Sequence, residues 1–376
     1  MWLAALSLAI WAGLIFARGG FWRADQRLRG APAPERWPEV AVVIPARDEA
    51  ATIGEVVAAH RATDYPGPVR VFVVDDSSTD GTDAIAAEAG AEVIAAPPLE
   101  PGWTGKLWAL SHGIRAAEAA LPDARWILLT DADIRHAPGT LRALVALGEA
   151  RGLALVSLMA RLDARGLWGR LLIPAFIFFF MKLYPFPRVN DPADGMAAAA
   201  GGCVLIRRDA LAAIGGIGAI RGALIDDCTL AAKVKGAGAP IWLGLADREV
   251  LSLRDNRPLG SVWTMVARSA FTQLDHSALQ LLGTLLGMVL IYLVPPAALL
   301  WGLATGAVAT AWLAAATLAL MAMAYAPTLR LYGQPAWRAL LLPAAGLLYT
   351  AMTLDSARRH WQGAGGRWKG RTYPKP

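Results

Sequence analysis

From Ser277 to Leu329 the chain carries no Asp, Glu, Lys, Arg or His, a run of 53 residues. A helix rises ~1.5 Å per residue and needs ~20 residues to cross a hydrocarbon core. A buried helix of a water-soluble fold explains one run of ordinary length, not this one. The stretch reads as two membrane spans, roughly 278–300 and 305–326, with Pro295-Pro296 kinking the first. A third uncharged stretch, Ala339–Leu354, covers only ~24 Å as a helix and is interrupted by Pro343. It is expected to lie in or re-enter from the cytoplasmic interface. The chain is therefore read as a membrane protein.

The amino terminus agrees. "MWLAALSLAIWAGLIF" is uncharged and is followed by Arg18, Arg23, Arg27 and Arg29. A cleaved signal has its positive charge before the apolar run, so residues 1–22 read as an uncleaved anchor with its carboxyl side in the cytoplasm. The formal net charge of +6 and pI near 9.5 owe much to residues bordering apolar runs. That distribution suits an anionic membrane surface and not nucleic acid. The basic tail, 356–376, is expected to stay inside, where Trp368, Lys369 and Arg371 would meet lipid head groups or a diphosphate. Cys203 and Cys228 have no metal-ligand spacing, so neither a disulfide framework nor a zinc site is expected.

Between the apolar ends the character changes. "EVAVVIPARDEAATIGEVVAAH", "VRVFVVDDSSTDGTDAIAAEAG" and "ARWILLTDADIRHAPGTLRALVAL" each read as an apolar strand, a turn and an amphipathic helix. Such repetition predicts an α/β fold with a mainly parallel sheet and helices on both faces. The strands end in carboxylates: Asp48 and Glu49, then Asp75 and Asp76, then Asp131 and Asp133. Ligands of open α/β sheets sit at the carboxyl ends of the strands. Helix capping by Ser77, Ser78, Thr79 and Asp80 accounts for part of this acidity, but three strands ending alike ask for more. A paired-carboxylate edge suits a hard divalent cation that takes its other ligands from phosphate. Neither G-x-G-x-x-G nor a Walker motif is present. Lys106, in "GWTGKLWAL", follows a glycine turn, as a phosphate contact requires.

In that order, "VVIPARDEAATI", "VVDDSSTDGT", Gly105-Lys106, "TDAD" and "IDDC" resemble the family-2 inverting glycosyltransferases of GT-A, Rossmann-like fold, over roughly 38–275. "GWTGKLWAL", "AAAAGGCVLIRRDAL", "LIDDCTLA", "MVARSAFTQL" and "GRWKGRTYP" are similar to the hopene-associated glycosyltransferases of bacterial hopanoid biosynthesis. The resemblance implies that Pro45, Ala46, Arg47 and Glu49 surround a nucleotide and that Asp75 and Asp76 meet the base or ribose of a UDP-linked sugar. It places Lys106 on the donor. It makes Asp131 and Asp133 the D-x-D that holds Mg²⁺ or Mn²⁺, with Asp131 also on the donor side. It sets Gly201, Gly202 and Cys203 on the acceptor side. Asp226-Asp227 stands where the family has Glu-Asp, with Asp227 the catalytic base.

Inversion fits these residue types, since one carboxylate takes the acceptor proton and a cation meets the charge growing on the departing diphosphate. Processive members carry a Gln/Arg-x-x-Arg-Trp motif. Here "WTMVARSAFTQL" keeps Arg268, a candidate diphosphate contact, without the Arg-Trp pair, so transfer of a single sugar is expected. "LLIPAFIFFFM", bounded by Arg170 and Lys182, predicts an interfacial helix at about 168–184 that admits a lipid acceptor. The expected enzyme is a hexosyltransferase of the inner (cytoplasmic) membrane, its catalytic domain in the cytoplasm and 277–355 its carboxyl-terminal membrane region. The acceptor is a hopanoid-type hydroxyl, with a carotenoid or a polyprenyl phosphate as alternatives. Nucleic acid is not expected, and no protein partner is inferable. A sugar nucleotidyltransferase lacks its glycine-rich phosphate loop here. A non-catalytic scaffold has no need of Asp76, Asp133 and Asp227 in this order.

Overall fold

A computed structural model describes residues 1–363. Residues 364–376 of the basic tail, with Trp368, Lys369 and Arg371, lie outside the described residues. Contacts divide the chain into two compact units.

The first unit comprises Gln26–Leu162 and Arg188–Arg254. Its strands are β1 (Val40–Ala46), β2 (Val69–Asp75), β3 (Glu92–Ala95), β4 (Trp126–Leu129), β5 (Ile134–His136), β6 (Leu155–Met159), β7 (Val204–Arg207), β8 (Ile241–Leu245) and β9 (Val250–Ser252). Seven form one sheet in the order β3-β2-β1-β4-β7-β6-β8, and β5 pairs with β9. β3, β2, β1 and β4 run parallel, as do β6 and β8; β7 is antiparallel to both β4 and β6. The sheet is mixed and mainly parallel, as the sequence predicts.

β1 is buried at all seven positions because helices cover both of its faces. Val40, Val42, Ile44 and Ala46 join Ile53, Val56, Leu141 and Leu144 in one core. Val43 and Val74 meet helix Gly105–Ala120 from the other side, where a Cβ on Gly113 would come within 2.5 Å of Val43 Cγ1. No larger residue fits at Gly113, so the helix lies close on the sheet.

The strand order places the ligand crevice. The chain winds outward from β1 through β2 and β3, then returns to β4 on the opposite side. Reversal of direction opens a crevice at the carboxyl ends of the two strands that flank it. β1 stays paired with β2 to Ala46↔Asp75 but leaves β4 after Val43↔Leu129. Pro45 lies beyond that parting, so its missing N–H breaks no β1–β4 bond.

The second unit comprises Met1–Asp25, Asp163–Pro187 and the described chain from Asp255 onward. Four of its helices are long and apolar enough to cross a membrane: Gly166–Leu183, Ala278–Thr305, Val308–Leu331 and Ala336–Trp361. The amino-terminal helix, Trp2–Ala17, is shorter, at 16 residues. The helix expected at about 168–184 runs from Gly166 to Leu183, with Pro174 inside it. One segment is longer than expected. The stretch 339–354 belongs to a helix running from Leu342 to Trp361. Pro343 sits in that helix's first turn, where a missing N–H costs nothing, so it starts the helix and does not interrupt it. Asp355 accepts hydrogen bonds from Arg358 and Arg359, which lets the helix continue past its apolar part.

Pro295 has the effect expected of it in a different form. It has no N–H for the carbonyl of Ile291, and the helix widens into one π-turn at Val289–Leu293. Trp11 Nε1 donates to that carbonyl at 2.8 Å. The indole of the first helix thus fills the bond that Pro295 cannot make.

Candidate active site

The loops after β1 and β2 are tied together by short polar side chains. Asp48 N–H donates to Ser78 Oγ at 3.0 Å, and Asp48 Oδ1 accepts from Thr79 N–H at 2.9 Å. Glu49 N–H donates to Thr82 Oγ1, and Ala50 N–H to Asp80 Oδ2. Asp48 and Ser77 both have left-handed backbones, at φ 51° and 59°. Asp48 and Asp80 are therefore loop staples. Arg47 donates to the Asp76 carbonyl, and its Nη1 lies 3.9 Å from the buried Asp76 carboxylate. Asp75 Oδ2 accepts from Ser78 N–H at 3.1 Å, while its Oδ1 is buried with no hydrogen-bond partner among the described residues. An orphaned acceptor at the end of β2 is suited to a ligand's hydroxyl or N–H.

Lys106 is in the first turn of helix Gly105–Ala120, whose N-cap is Thr104. Its Nζ lies 2.8 Å from Asp131 Oδ1 and 3.1 Å from Asp226 Oδ2. Burial opposes its charge, but Asp131, Asp226 and Asp227 outweigh burial and raise its pKa. The lysine is a fixed cation joining the end of β4 to the start of helix Asp226–Gly236.

Asp227 is held from two sides. Its Oδ2 accepts from Gly201 N–H at 2.7 Å and its Oδ1 from Cys228 N–H at 2.8 Å. Burial and the charge of Asp226 push its pKa up to about 6, against the pull of Lys106 and the two N–H donors. A carboxylate that titrates near neutrality suits a general base. Asp133 is raised as well, by burial and by Asp131, with Arg254 Nε 3.9 Å away opposing. A carboxylate buried beside another, as Asp133 is beside Asp131, fits a divalent cation. Among the described residues no three His, Cys, Asp or Glu side chains converge as a ligand set.

A cavity holding about 320 Å³ of empty space, its open side included, lies between these groups. Lys106, Thr130, Asp131, Asp226 and Asp227 supply its polar side chains, and Pro45, Gly201, Val204, leucines and isoleucines the rest. The structure thus brings Pro45, Lys106, Asp131, Gly201, Asp226 and Asp227 to one cavity. Ala46 is buried in the core, and its carbonyl accepts from Asp76 N–H at 2.8 Å. Gly202 packs against Ile134, where a Cβ would come within 3.1 Å. Cys203 does not join the acceptor-side group: its thiol is in the core and burial pushes it up to about 12. Strand alternation explains this, because Cys203 and Leu205 face the core and Val204 faces the cavity. Arg268 caps helix Leu259–Ala267 in the other unit.

Sequence reasoning missed Thr130 and two histidines. Thr130 Oγ1 donates to Gly202 O at 2.8 Å and lies 3.2 Å from His136 Nε2. The His60 and His136 rings are 4.6 Å apart. Burial lowers both, His136 to about 4, so they form a neutral pair beneath the site. No spacing in the sequence marks them.

Two expected results follow from Asp227 and its neighbour. kcat/KM should rise with pH through a midpoint near 6, as the base ionises. A folded-state pKa above the ordinary ~3.9 also means that the folded chain binds this proton more tightly. Stability from this group is thus gained as pH falls from about 6 towards 4 and absent above 6. A pH–rate profile with no break near 6 counts against the base. Gly201→Ala places a Cβ 3.1 Å from Lys106 Nζ and 3.4 Å from Asp227 Oδ2. Displacement of both should lower kcat on the order of 10–10²-fold with little change in Tm; wild-type kcat in this variant would show that the close approach is immaterial.

The family model described as "Glycosyltransferase like family 2" matches residues 38–274. No curated protein matches the chain. Among solved structures, the chain is similar to a mannosyltransferase from Pyrobaculum calidifontis in complex with GDP-Man and Mn²⁺, at 21% identity and a TM-score of 0.55. That match covers 95% of this chain and 99% of that one. Glucosyl-3-phosphoglycerate synthase from Mycobacterium tuberculosis, in complex with Mg²⁺ and UDP, matches at 21% identity and a TM-score of 0.43. It covers 66% of this chain and 86% of that one.

Proposed function

Because the chain belongs to the glycosyltransferase-like family 2, we propose that it is a membrane-bound inverting enzyme that moves one sugar from a nucleotide-diphosphate sugar to a lipid hydroxyl of hopanoid type. The observation that carries this is Asp227, fixed by two backbone N–H donors, titrating near 6 and set beside Lys106 in a cavity that is largely apolar.

In the proposed reaction the acceptor oxygen attacks the anomeric carbon as Asp227 takes its proton. The bond from that carbon to the diphosphate oxygen breaks, and the diphosphate leaves with the electron pair. Asp131 and Asp133 would hold a divalent cation, which when bound neutralises charge on the diphosphate. Lys106 holds Asp131 and Asp226 in place, and its charge faces the same developing anion. Asp75, Asp76, Arg47 and Glu49 are assigned to the nucleoside, and Gly201 and Gly202 to the acceptor side. Arg268 is proposed as a diphosphate contact. A divalent ion and a nucleotide sugar are supported by the complex of the similar mannosyltransferase. The donor base is proposed as uracil, by resemblance to the hopene-associated enzymes.

A lipid acceptor is supported by four helices long and apolar enough to cross a membrane in the same chain. It is also supported by the apolar walls beside Asp227. The proposed location is the cytoplasmic membrane, with the catalytic unit on the cytoplasmic side, as Arg18, Arg23, Arg27 and Arg29 after the first helix favour. The test is to incubate the purified enzyme with UDP- and GDP-sugars and extracted lipids and weigh the products. A hopanoid polyol heavier by one hexose-type unit is expected. Transfer to a polyprenyl phosphate alone, or a ladder of additions, would overturn the proposal.

A further inference from the structure

The apolar-helix unit has a cavity of its own. About 200 Å³, its open side included, lies between Arg170, Leu171, Tyr325, Leu329, Arg338 and Leu341. Two arginines therefore line one space. Arg338 donates from Nη1 to Gln334 Oε1 at 3.3 Å, and its Nε is buried with no acceptor among the described residues. Its guanidinium lies 5.5 Å from the centre of the Trp337 ring. Three carboxylates of this unit are paired with other arginines: Asp163 with Arg165, Asp255 with Arg257, and Asp355 with Arg358 and Arg359. Neither Arg170 nor Arg338 forms an ion pair with a described carboxylate.

A buried charged N–H with no acceptor is costly. Arg forks match the oxygens of a phosphate two at a time. Beside this basic cavity the surface is apolar: Trp337, Leu340 and Leu341 are 60%, 64% and 38% exposed. These residues begin a helix long and apolar enough to cross a membrane. Tryptophan with arginine at a helix end is the pattern of a membrane–water interface, and basic pockets between spanning helices take anionic head groups.

We infer that the cavity between Arg170 and Arg338 binds the phosphate of an anionic phospholipid. The acyl chains lie against the exposed leucines, and the head group supplies the acceptor that Arg338 Nε lacks. A soluble phosphate ion meets the same two arginines but gains nothing from the apolar rim.

The experiment uses the full chain in nanodiscs of phosphatidylcholine, with or without phosphatidylglycerol, and reads Tm and bound lipid by native mass spectrometry. The wild type should gain roughly 2–4 °C in phosphatidylglycerol and retain one such lipid. R170Q/R338Q should match the wild type in phosphatidylcholine and show neither the gain nor the retained lipid. If that variant is unstable, R170K/R338K, which keeps the charge and loses the fork, should show less than half of the gain. A full gain in either variant, no gain in the wild type, or the same gain from inorganic phosphate in phosphatidylcholine would overturn the assignment. Sugar transfer is not the readout, so the result stands whatever the donor and acceptor prove to be.

Discussion

Asp227→Asn should bind the donor nucleotide almost as the parent does and turn over on the order of 10²–10⁴-fold more slowly. Asparagine keeps the shape and one acceptor oxygen for the Gly201 or Cys228 N–H but cannot take a proton. The neutral side chain also relieves the crowding of Asp226 and Asp227, so stability above pH 6 should hold or improve slightly. Single-turnover kinetics beside a nucleotide-binding isotherm separates the two effects. Loss of donor binding together with turnover would make Asp227 a donor ligand or a structural cap.

Replacing Asp131 and Asp133 together by Asn should remove detectable transfer and weaken nucleotide-diphosphate binding, with added Mg²⁺ or Mn²⁺ restoring neither. The fold should survive, since both side chains are only half-buried and the sheet ends before them. Lys106 loses one of its two closest carboxylates and keeps Asp226 at 3.1 Å. Chelator-sensitive activity persisting in the double variant would sink the metal assignment. The single variants distinguish the roles, because Asp131 also holds Lys106 at 2.8 Å while Asp133 does not. Asp131→Asn should therefore disturb donor binding even without metal.

The apolar strands β1 and β4 were legible because a strand buried on both faces must be apolar throughout, and the carboxylates that break such runs stand out. Asp131 and Asp133 were legible as candidates for the same reason, and Asp226 and Asp227 only through the resemblance to the family's Glu-Asp. Which neighbours they take was not. The Lys106 bridge from Asp131 to Asp226 joins three segments of chain, and no local pattern encodes it. The antiparallel β7 between β4 and β6 was hidden too, since repeated strand–helix units suggest parallel neighbours. Cys203 was grouped with Gly201 and Gly202 as one small-residue motif, but small size does not say which face of a strand a residue occupies. Counting uncharged residues stopped the last helix at Leu354, because it treats Asp355 and Arg358 as ends. In the structure they neutralise each other and the helix runs on.

The hydrogen bond from Trp11 to Ile291 spans 280 residues, and it sets an order of events on the ribosome. Chains are made from the amino terminus, and early units fold before later ones emerge. The described part of the sheet-bearing unit has all been made once Arg254 is added. The first helix, although made before any strand, must wait with its indole N–H unmatched until the proline-bearing helix arrives. Trp11→Phe therefore belongs among the substitutions that lower the yield of folded protein during synthesis more than they lower the stability of the finished molecule.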